Sequence, residues 1–396
     1  MRVLVVSHAM VQDASRARWK RLAERHSAEV TLIVPMHWES IWFGVLRTWE
    51  PAPVEGGGFR VIPLPVTNSR KWGAYIFRSL DARLRTLRPD VIYVGQEETT
   101  LVLQQMILYR RLWARNAKLL FFSWNNLHVP QERLRARLRW RNVRRSADAA
   151  IAGNSEVAQV LRGAGFAKPL IVQTEIGVDE KEFRPDETAR ARVRAELGLK
   201  GFVIGFVGRL VVDKGVTELV EAALALPGQW LLMLVGDGRL RREVEARFTQ
   251  HGLTNRLRLL GEQPIDAMPR YFQAMDVLVL PSRTMPNWKE QFGLVLAQAM
   301  ACDVPVIGSS SGAIPEVIGE AGLVFPEGDI SALRNCLQRL MADAIFRGEL
   351  AQQGFERALA KYSATALADE THIFFQQLLS QSPRPQEAQS YCLRRG

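Results

Sequence analysis

The sequence predicts an α/β fold made of two Rossmann-like parallel-sheet domains facing a cleft. Three observations carry this. Short β-branched apolar runs recur twelve times along the 396 residues. Helix-like segments separate them, which is the pattern of βα units around parallel sheets. The series breaks once, at the polar and charged stretch GVDEKEFRPDETARARVRAELGLKG, which reads as a linker followed by a helix. With 47% apolar residues, the chain can bury two medium cores.

The first series opens with RVLVVSH (2–8), too short an apolar run and too poor in cations for a signal peptide. It continues with EVTLIVP (29–35), DVIYVG (90–95), KLLFFSW (118–124), AAIAGNS (149–155) and PLIVQTE (169–175). SRARWKRLAERH (15–26) shows the helical pattern between strands. This half is assigned to residues 1–180. The second series runs FVIGFVG (202–208), WLLMLVG (230–236), RLRLLG (256–261), DVLVLPS (276–282), VPVIGSS (304–310) and GLVFP (322–326), and is assigned to 200–362. ATALADETHIFFQQLLSQ then reads as an amphipathic helix over 365–380, expected to pack back on the first half. The tail after it is expected to fray.

Cys302, Cys336 and Cys392 show no pairing or metal spacing. That fits a reducing compartment, although few cysteines also suit some secreted proteins. No run of eighteen apolar residues occurs, so no membrane-spanning helix is expected. The net charge of +11 points to phosphate-bearing or anionic-surface partners. Eight of ten tryptophans precede residue 150, and Trp38, Trp42 and Trp49 share one segment read as a loop after the second strand. Loops at strand carboxyl ends bind ligands in such folds. An aromatic ligand site and simple core filling are equal alternatives for these rings.

Four stretches carry candidate chemistry. In GFVGRLVVDKGV, Gly208 permits close backbone approach, and Arg209 and Lys214 place two cations beside a helix start, which suits a diphosphate. VGDGRL places Gly236 at a tight strand-to-helix turn. In EQFGLVLAQAM, Glu290 precedes Phe292, Gly293, Leu294 and Val295, whose N–H groups open a helix and can meet phosphate or sugar hydroxyls. The Glu290 carboxylate can accept from hydroxyls, or simply complement the helix dipole. Gln298 lies two turns on, on the same side. SSSGAIPEVI (309–318) adds a Ser/Gly-rich loop after a strand.

Together, GRLVVDKG, GDG, GVDEKEF and the long run from PSRTMPNWKEQFG to FPEGD resemble the retaining glycosyltransferases of family 4, which have the GT-B fold. The resemblance is strong over 150–330 and vague before 150. It implies that Arg209 and Lys214 hold the donor diphosphate and that Glu290 touches the donor sugar. The backbone from Phe292 to Val295 would meet sugar and phosphate. Gln298 stands where the family has a second ribose-binding Glu; its amide keeps acceptor and donor capacity. The family's Gly-Gly loop after the first strand is replaced by SHAMVQDASRAR, with Ala14 and Ser15 nearest to it. Its His-Asp pair reads Asn125-Asn126, with His128 just beyond; Asn125 is preferred for that place, and His128 is the alternative.

The resemblance implies a UDP- or GDP-sugar donor, a saccharide, lipid-linked or small-molecule acceptor, no cofactor and no metal, in keeping with the missing Asp-x-Asp pair. The expected location is cytoplasmic. RLRARLRWRNVRR (133–145), with seven arginines and no acid, suggests peripheral contact with the inner face of an anionic membrane, or a solvated basic helix packing its Leu and Trp on the sheet. A dehydrogenase is disfavoured because no G-x-G-x-x-G follows the first strand. No nucleic-acid-binding module is recognisable, so no nucleic-acid partner is expected. A degenerate, non-catalytic GT-B nucleotide-sugar-binding protein remains the alternative to an enzyme.

Overall fold

The computed structural model describes residues 1–381 except 43, 44, 72, 79–83, 85 and 130–132; the tail and Cys392 lie outside it, as does the side chain of Trp42. Each of the twelve apolar runs contains a strand. The first sheet has the order Leu170–Val172, Ala149–Ala152, Lys118–Ser123, Val91–Val94, Arg2–Val6, Glu29–Pro35, Phe59–Leu64 and Val54–Gly56. All pairs are parallel except the edge strand Val54–Gly56. The second sheet is all parallel, in the order Leu257–Gly261, Trp230–Val235, Phe202–Val207, Val277–Leu280, Val306–Ser309 and Leu323–Phe325. Both faces of each sheet are covered by helices, so Val91–Val94, Trp230–Val235 and Val277–Leu280 are buried at every residue and read as unbroken apolar runs.

In each sheet the strand order reverses once: between Arg2–Val6 and Val91–Val94, and between Phe202–Val207 and Val277–Leu280. A crevice opens at the carboxyl ends of the strands at such a point.

The chain joins the halves twice. Val178 N–H donates to Tyr362 O at 2.8 Å, and Ala364 N–H donates to Val178 O at 2.7 Å. Helix Ala364–Ser380 then packs on Ala17–His26 and buries Phe374, Phe375 and Leu378 in the core of the first half. Arg25 pairs with Asp369 at 2.9 Å along that seam.

The segment carrying Trp38 and Trp49 is a hairpin, Trp38–Trp42 against Val45–Trp49, and not a loop. Its WESIW and VLRTW runs are rich in β-branched and aromatic residues but do not alternate apolar with polar, so no clear strand period shows in the sequence there. The two readings of the tryptophans divide by residue. Trp19 and Trp140 are core, Trp38 is buried with the core and also touches a cavity, and the half-buried Trp49 lines that cavity. Helix Leu134–Ser146 also divides: Trp140 and Val143 are buried, whereas Leu134 and Leu138 are exposed. Among the described residues, no helix is long and apolar enough to cross a membrane.

Candidate functional site

The reversal point of the second sheet gathers three of the sequence-predicted residues. Strand Phe202–Val207 ends at Gly208 and Arg209, and one helical turn, Val212–Lys214, carries Lys214. The loop after Val277–Leu280 brings Glu290 to it. Lys214 Nζ lies 2.6 Å from Glu290 Oε2, and Ser282 Oγ donates to the same oxygen at 2.7 Å. Glu290 is 7% exposed, so this is a largely desolvated, charge-assisted contact of the strong kind. The Trp288 ring faces Lys214 Nζ at 4.5 Å, a cation–π arrangement. Arg209 stands beside them, half-exposed and paired with Asp213 at 3.1 Å.

Close backbone approaches fix this geometry. Gly236 has φ 132°, and a Cβ there would sit 2.0 Å from Gly208 O. Gly312 has φ 54°, and its Cβ would sit 2.1 Å from Glu290 O. The Ser/Gly-rich loop thus presses directly on the Glu290 backbone, and Ala313 N–H donates to Glu290 O at 3.0 Å. Ser309 Oγ donates to Ser282 O at 2.5 Å, tying the neighbouring loop down.

Gly293, with φ 78°, opens helix Leu294–Ala301, and no side chain caps that N-terminus. The first N–H groups of a helix have no intrahelical acceptor, and they favour anions. Phe292 is buried between Trp124 and Tyr362, at ring centroid distances of 6.1 and 5.3 Å.

The first half clamps the same segment through residues that the sequence did not single out. Asn126 Nδ2 donates to Glu290 O at 3.3 Å, and Asn154 Nδ2 donates to Gln291 O at 2.6 Å. Gln291 returns a bond to Trp124 O at 3.1 Å, and Lys289 pairs with Glu156 at 2.8 Å. Asn125 sits apart from these contacts: its Nδ2 donates to Glu98 Oε1 at 3.0 Å, and its Oδ1 accepts from His128 N–H at 3.4 Å. Burial pushes the Glu98 carboxyl up.

A cavity of 640 Å³ lies between the halves. His8, Ala14, Ser15, Lys20, Trp38 and Trp49 line it from the first half, and Asp266, Leu294 and Gln298 from the second. Gln298 therefore faces the space between the halves, whereas Arg209, Lys214 and Glu290 are not among the residues that line it. Burial pushes His8 down to about 4, so its imidazole is neutral; Gln96 Nε2 contacts its Nδ1, and Trp38 lies 4.8 Å away. Beneath the strand ends, burial also pushes Glu175 up to about 7 and Glu97 to about 8. Ser7 Oγ donates to Glu175 at 3.0 Å. Isolated glutamates in a sequence carry no sign of such burial, and no motif flagged these.

Residues 201–343 match the sequence profile of the family Glycosyl transferases group 1. D-inositol 3-phosphate glycosyltransferase of Corynebacterium jeikeium is 29% identical over 241 residues, which is 57% of this chain and 56% of that protein. Lipopolysaccharide core biosynthesis glycosyltransferase LpsE of Rhizobium meliloti is 32% identical over 183 residues, covering 46% and 50%. The chain thus spans about half the length of the curated relatives it matches. Sucrose-phosphate synthase from Thermosynechococcus elongatus superposes with a TM-score of 0.70 at 23% identity, over 96% of this chain and 100% of the other. Anabaena HepE in complex with UDP gives a TM-score of 0.69 at 20% identity, over 95% and 99%. These likenesses show the GT-B fold.

Proposed function

We propose that this chain, whose residues 201–343 match the family Glycosyl transferases group 1, is a retaining glycosyltransferase. It moves a sugar from a nucleotide-diphosphate donor to a saccharide, lipid-linked or small-molecule acceptor in polysaccharide or glycoconjugate assembly. The observation that carries this reading is the Lys214–Glu290 contact at 2.6 Å, beside Arg209 and the uncapped start of helix Leu294–Ala301. One ammonium, one guanidinium and a helix start supply positive potential for a diphosphate. Glu290 supplies an acceptor for sugar hydroxyls, because Lys214 and Ser282 both contact Oε2 and, among the described residues, Oε1 is left to accept. Lys214 has three N–H donors, so holding Glu290 leaves capacity for phosphate oxygens.

In the proposed reaction the bond from the anomeric carbon to the diphosphate oxygen breaks, and its electron pair stays on the diphosphate. Arg209, Lys214 and the N–H groups after Gly293 stabilise that charge as it develops. The acceptor hydroxyl forms the new bond on the same face, and its proton passes to the departing phosphate oxygen. Glu290 positions the sugar, and Gln298 holds the ribose. The acceptor lies in the cavity between the halves, where Trp38 and Trp49 offer flat apolar faces to a sugar ring. Helix Leu134–Ser146, with its arginines and exposed leucines, supports peripheral contact with an anionic membrane on the cytoplasmic side.

A thermal-shift panel of UDP- and GDP-sugars, followed by product analysis with the best donor, tests the proposal. We expect stabilisation by one nucleotide class, turnover that persists in EDTA, and a product with the donor's anomeric configuration. Lys214→Ala and Arg209→Ala weaken nucleotide binding by roughly 1.5–3 kcal/mol each, as a lost charge-assisted contact does. Donor binding without turnover on any acceptor would favour the non-catalytic reading, and an inverted product would remove the retaining mechanism.

A further inference from the structure

A second cationic site lies away from the cleft, at the amino ends of the strands in the first sheet. Helices Leu101–Trp113 and Leu134–Ser146 pack side by side there, with Asn142 Nδ2 donating to Gln104 Oε1 at 2.8 Å. Between them runs a groove of 530 Å³, lined by Ile107, Arg110, Arg111, Arg115, Arg145 and Ser146. It opens just before strands Lys118–Ser123 and Ala149–Ala152, whose carboxyl ends face the cleft.

The guanidiniums are built in. Arg111 Nη2 donates to Asn142 Oδ1 and Ser146 Oγ, both at 2.9 Å. Arg110 Nη1 donates to Ser146 O at 2.6 Å, and its Nη2 pairs with Asp148 at 3.0 Å. Arg115 Nε donates to Arg111 O at 2.9 Å. A guanidinium carries its five N–H donors in a fixed plane, so these bonds orient the groups along the groove. Among the described residues, the groove lining holds no carboxylate.

Charge and apolar surface meet at this place. Residues 101–147 hold eleven Arg and Lys and one acid, Glu132, so ten of the chain's eleven net positive charges lie in this stretch. Arg137, Arg141 and Arg145 stand four apart on helix Leu134–Ser146, and like charges at that spacing repel. On the groove's own helix, Leu108 and Leu112 are 54% and 51% exposed, and Leu138 on the facing helix is 54% exposed.

We propose that this groove binds the phosphate of an anionic phospholipid headgroup, with Leu108, Leu112 and Leu138 against the acyl region. Planar guanidiniums match phosphate oxygens in pairs. A free phosphate would satisfy the arginines and have no use for the exposed Leu108 and Leu112, which neighbour the lining residues Ile107 and Arg111 on the groove's own helix, and this favours the lipid. The inference rests on the peripheral-membrane reading above and goes beyond it by naming a site.

The test compares co-sedimentation of three full-length proteins with phosphatidylglycerol and phosphatidylcholine vesicles: wild type, the groove variant Arg115→Gln/Arg145→Gln, and a control, Arg135→Gln/Arg137→Gln, with the same charge change outside the groove. Melting temperature and nucleotide binding report that each variant is folded. We expect wild type to bind only the anionic vesicles, and the groove variant to bind about tenfold more weakly than the control, because a built site loses more than diffuse attraction does. Equal weakening in both variants would overturn the groove while leaving membrane contact standing. Absence of binding to either vesicle at low salt would overturn both. Inorganic phosphate or RNA releasing wild type from vesicles at concentrations that spare the groove variant's residual binding would overturn the assignment to lipid.

Discussion

Glu290 meets two demands at once: its carboxylate fixes Lys214 and Ser282, and its backbone carbonyl is held by Ala313 and Asn126. Replacing it therefore touches stability as well as chemistry. Glu290→Gln is expected to lower turnover by about a hundredfold or more, as losing a preorganised polar group in a transition state does. It should also cost about 1–3 kcal/mol of stability, because Lys214 loses a partly buried partner. Wild-type turnover in this variant would remove Glu290 from the site. Gln298→Glu is expected to keep turnover within about threefold and to leave or tighten nucleotide binding, since both side chains present an acceptor to ribose hydroxyls. A large rise in the nucleotide dissociation constant would show that the amide N–H groups are what the site uses. Glu175 gives a pH signature. Its folded value of about 7 lies above its ordinary 4.5 because of burial. Below pH 4.5 both folded and unfolded chains hold the proton. From 4.5 to about 7 the unfolded chain ionises while the folded one stays protonated, so stability falls as pH rises. His8 acts oppositely between about 4 and 6.5, because its folded value is depressed. The two overlap, so the raw pH curve hides both. The gain in melting temperature of Glu175→Gln over wild type should be larger at pH 8 than at pH 5; a gain independent of pH would show that Glu175 is not buried as a neutral acid.

At the scale of elements, apolar runs bounded by Gly, Pro and Ser located twelve of the fourteen strands in the two sheets, because a parallel sheet buries both faces of its inner strands and leaves no alternation to decipher. What stayed hidden has local causes. FRVIPL carries Pro63 and follows VEGGG, so strand Phe59–Leu64 and its antiparallel edge were not among the strands the sequence showed. The Trp38–Trp49 hairpin read as a loop because its tryptophans look like ligand or core residues before they look like a β-pattern. In the site, Arg209, Lys214, Glu290 and the helix start were each legible as single stretches. The contact of Lys214 with Glu290, 76 residues apart, was not, and neither was the clamp by Asn126 and Asn154. Those depend on how two loops and two halves meet. The Ser/Gly-rich loop shows what such meeting requires. A methyl at Gly312 would press to 2.1 Å from Glu290 O, and φ 54° is unfavourable for any side chain. Gly312→Ala is therefore expected to displace Glu290, lower turnover about tenfold or more, and cost about 1–3 kcal/mol of stability. Measured kcat equal to wild type would mean that the Glu290 backbone yields without consequence.

At the scale of the whole molecule, the last helix belongs by sequence to the end of the chain and by packing to its beginning. Ala368, Phe374, Phe375 and Leu378 are buried with the core of the first half, and Thr371 Oγ1 donates to Gln173 Oε1 at 2.9 Å. Burying one large apolar side chain contributes about 2 kcal/mol, so the three larger ones together contribute about 6 kcal/mol. A domain's net stability is about 5–15 kcal/mol, so the first half cannot lose that much and stay well folded. The second half owes the helix far less, since its own cores do not include these residues. A chain ending at Ser363 should therefore separate the two. Hydrogen exchange should show loss of protection in helix Ala17–His26 and strand Arg2–Val6, while Phe202–Val207 and Val277–Leu280 stay protected. Nucleotide binding, which the proposal places in the second half, should persist, and transfer should be lost with the acceptor side. A peptide of residues 364–381 added in trans should restore part of the protection. Unchanged exchange in Ala17–His26 after truncation would show that the helix decorates the first half without holding it together.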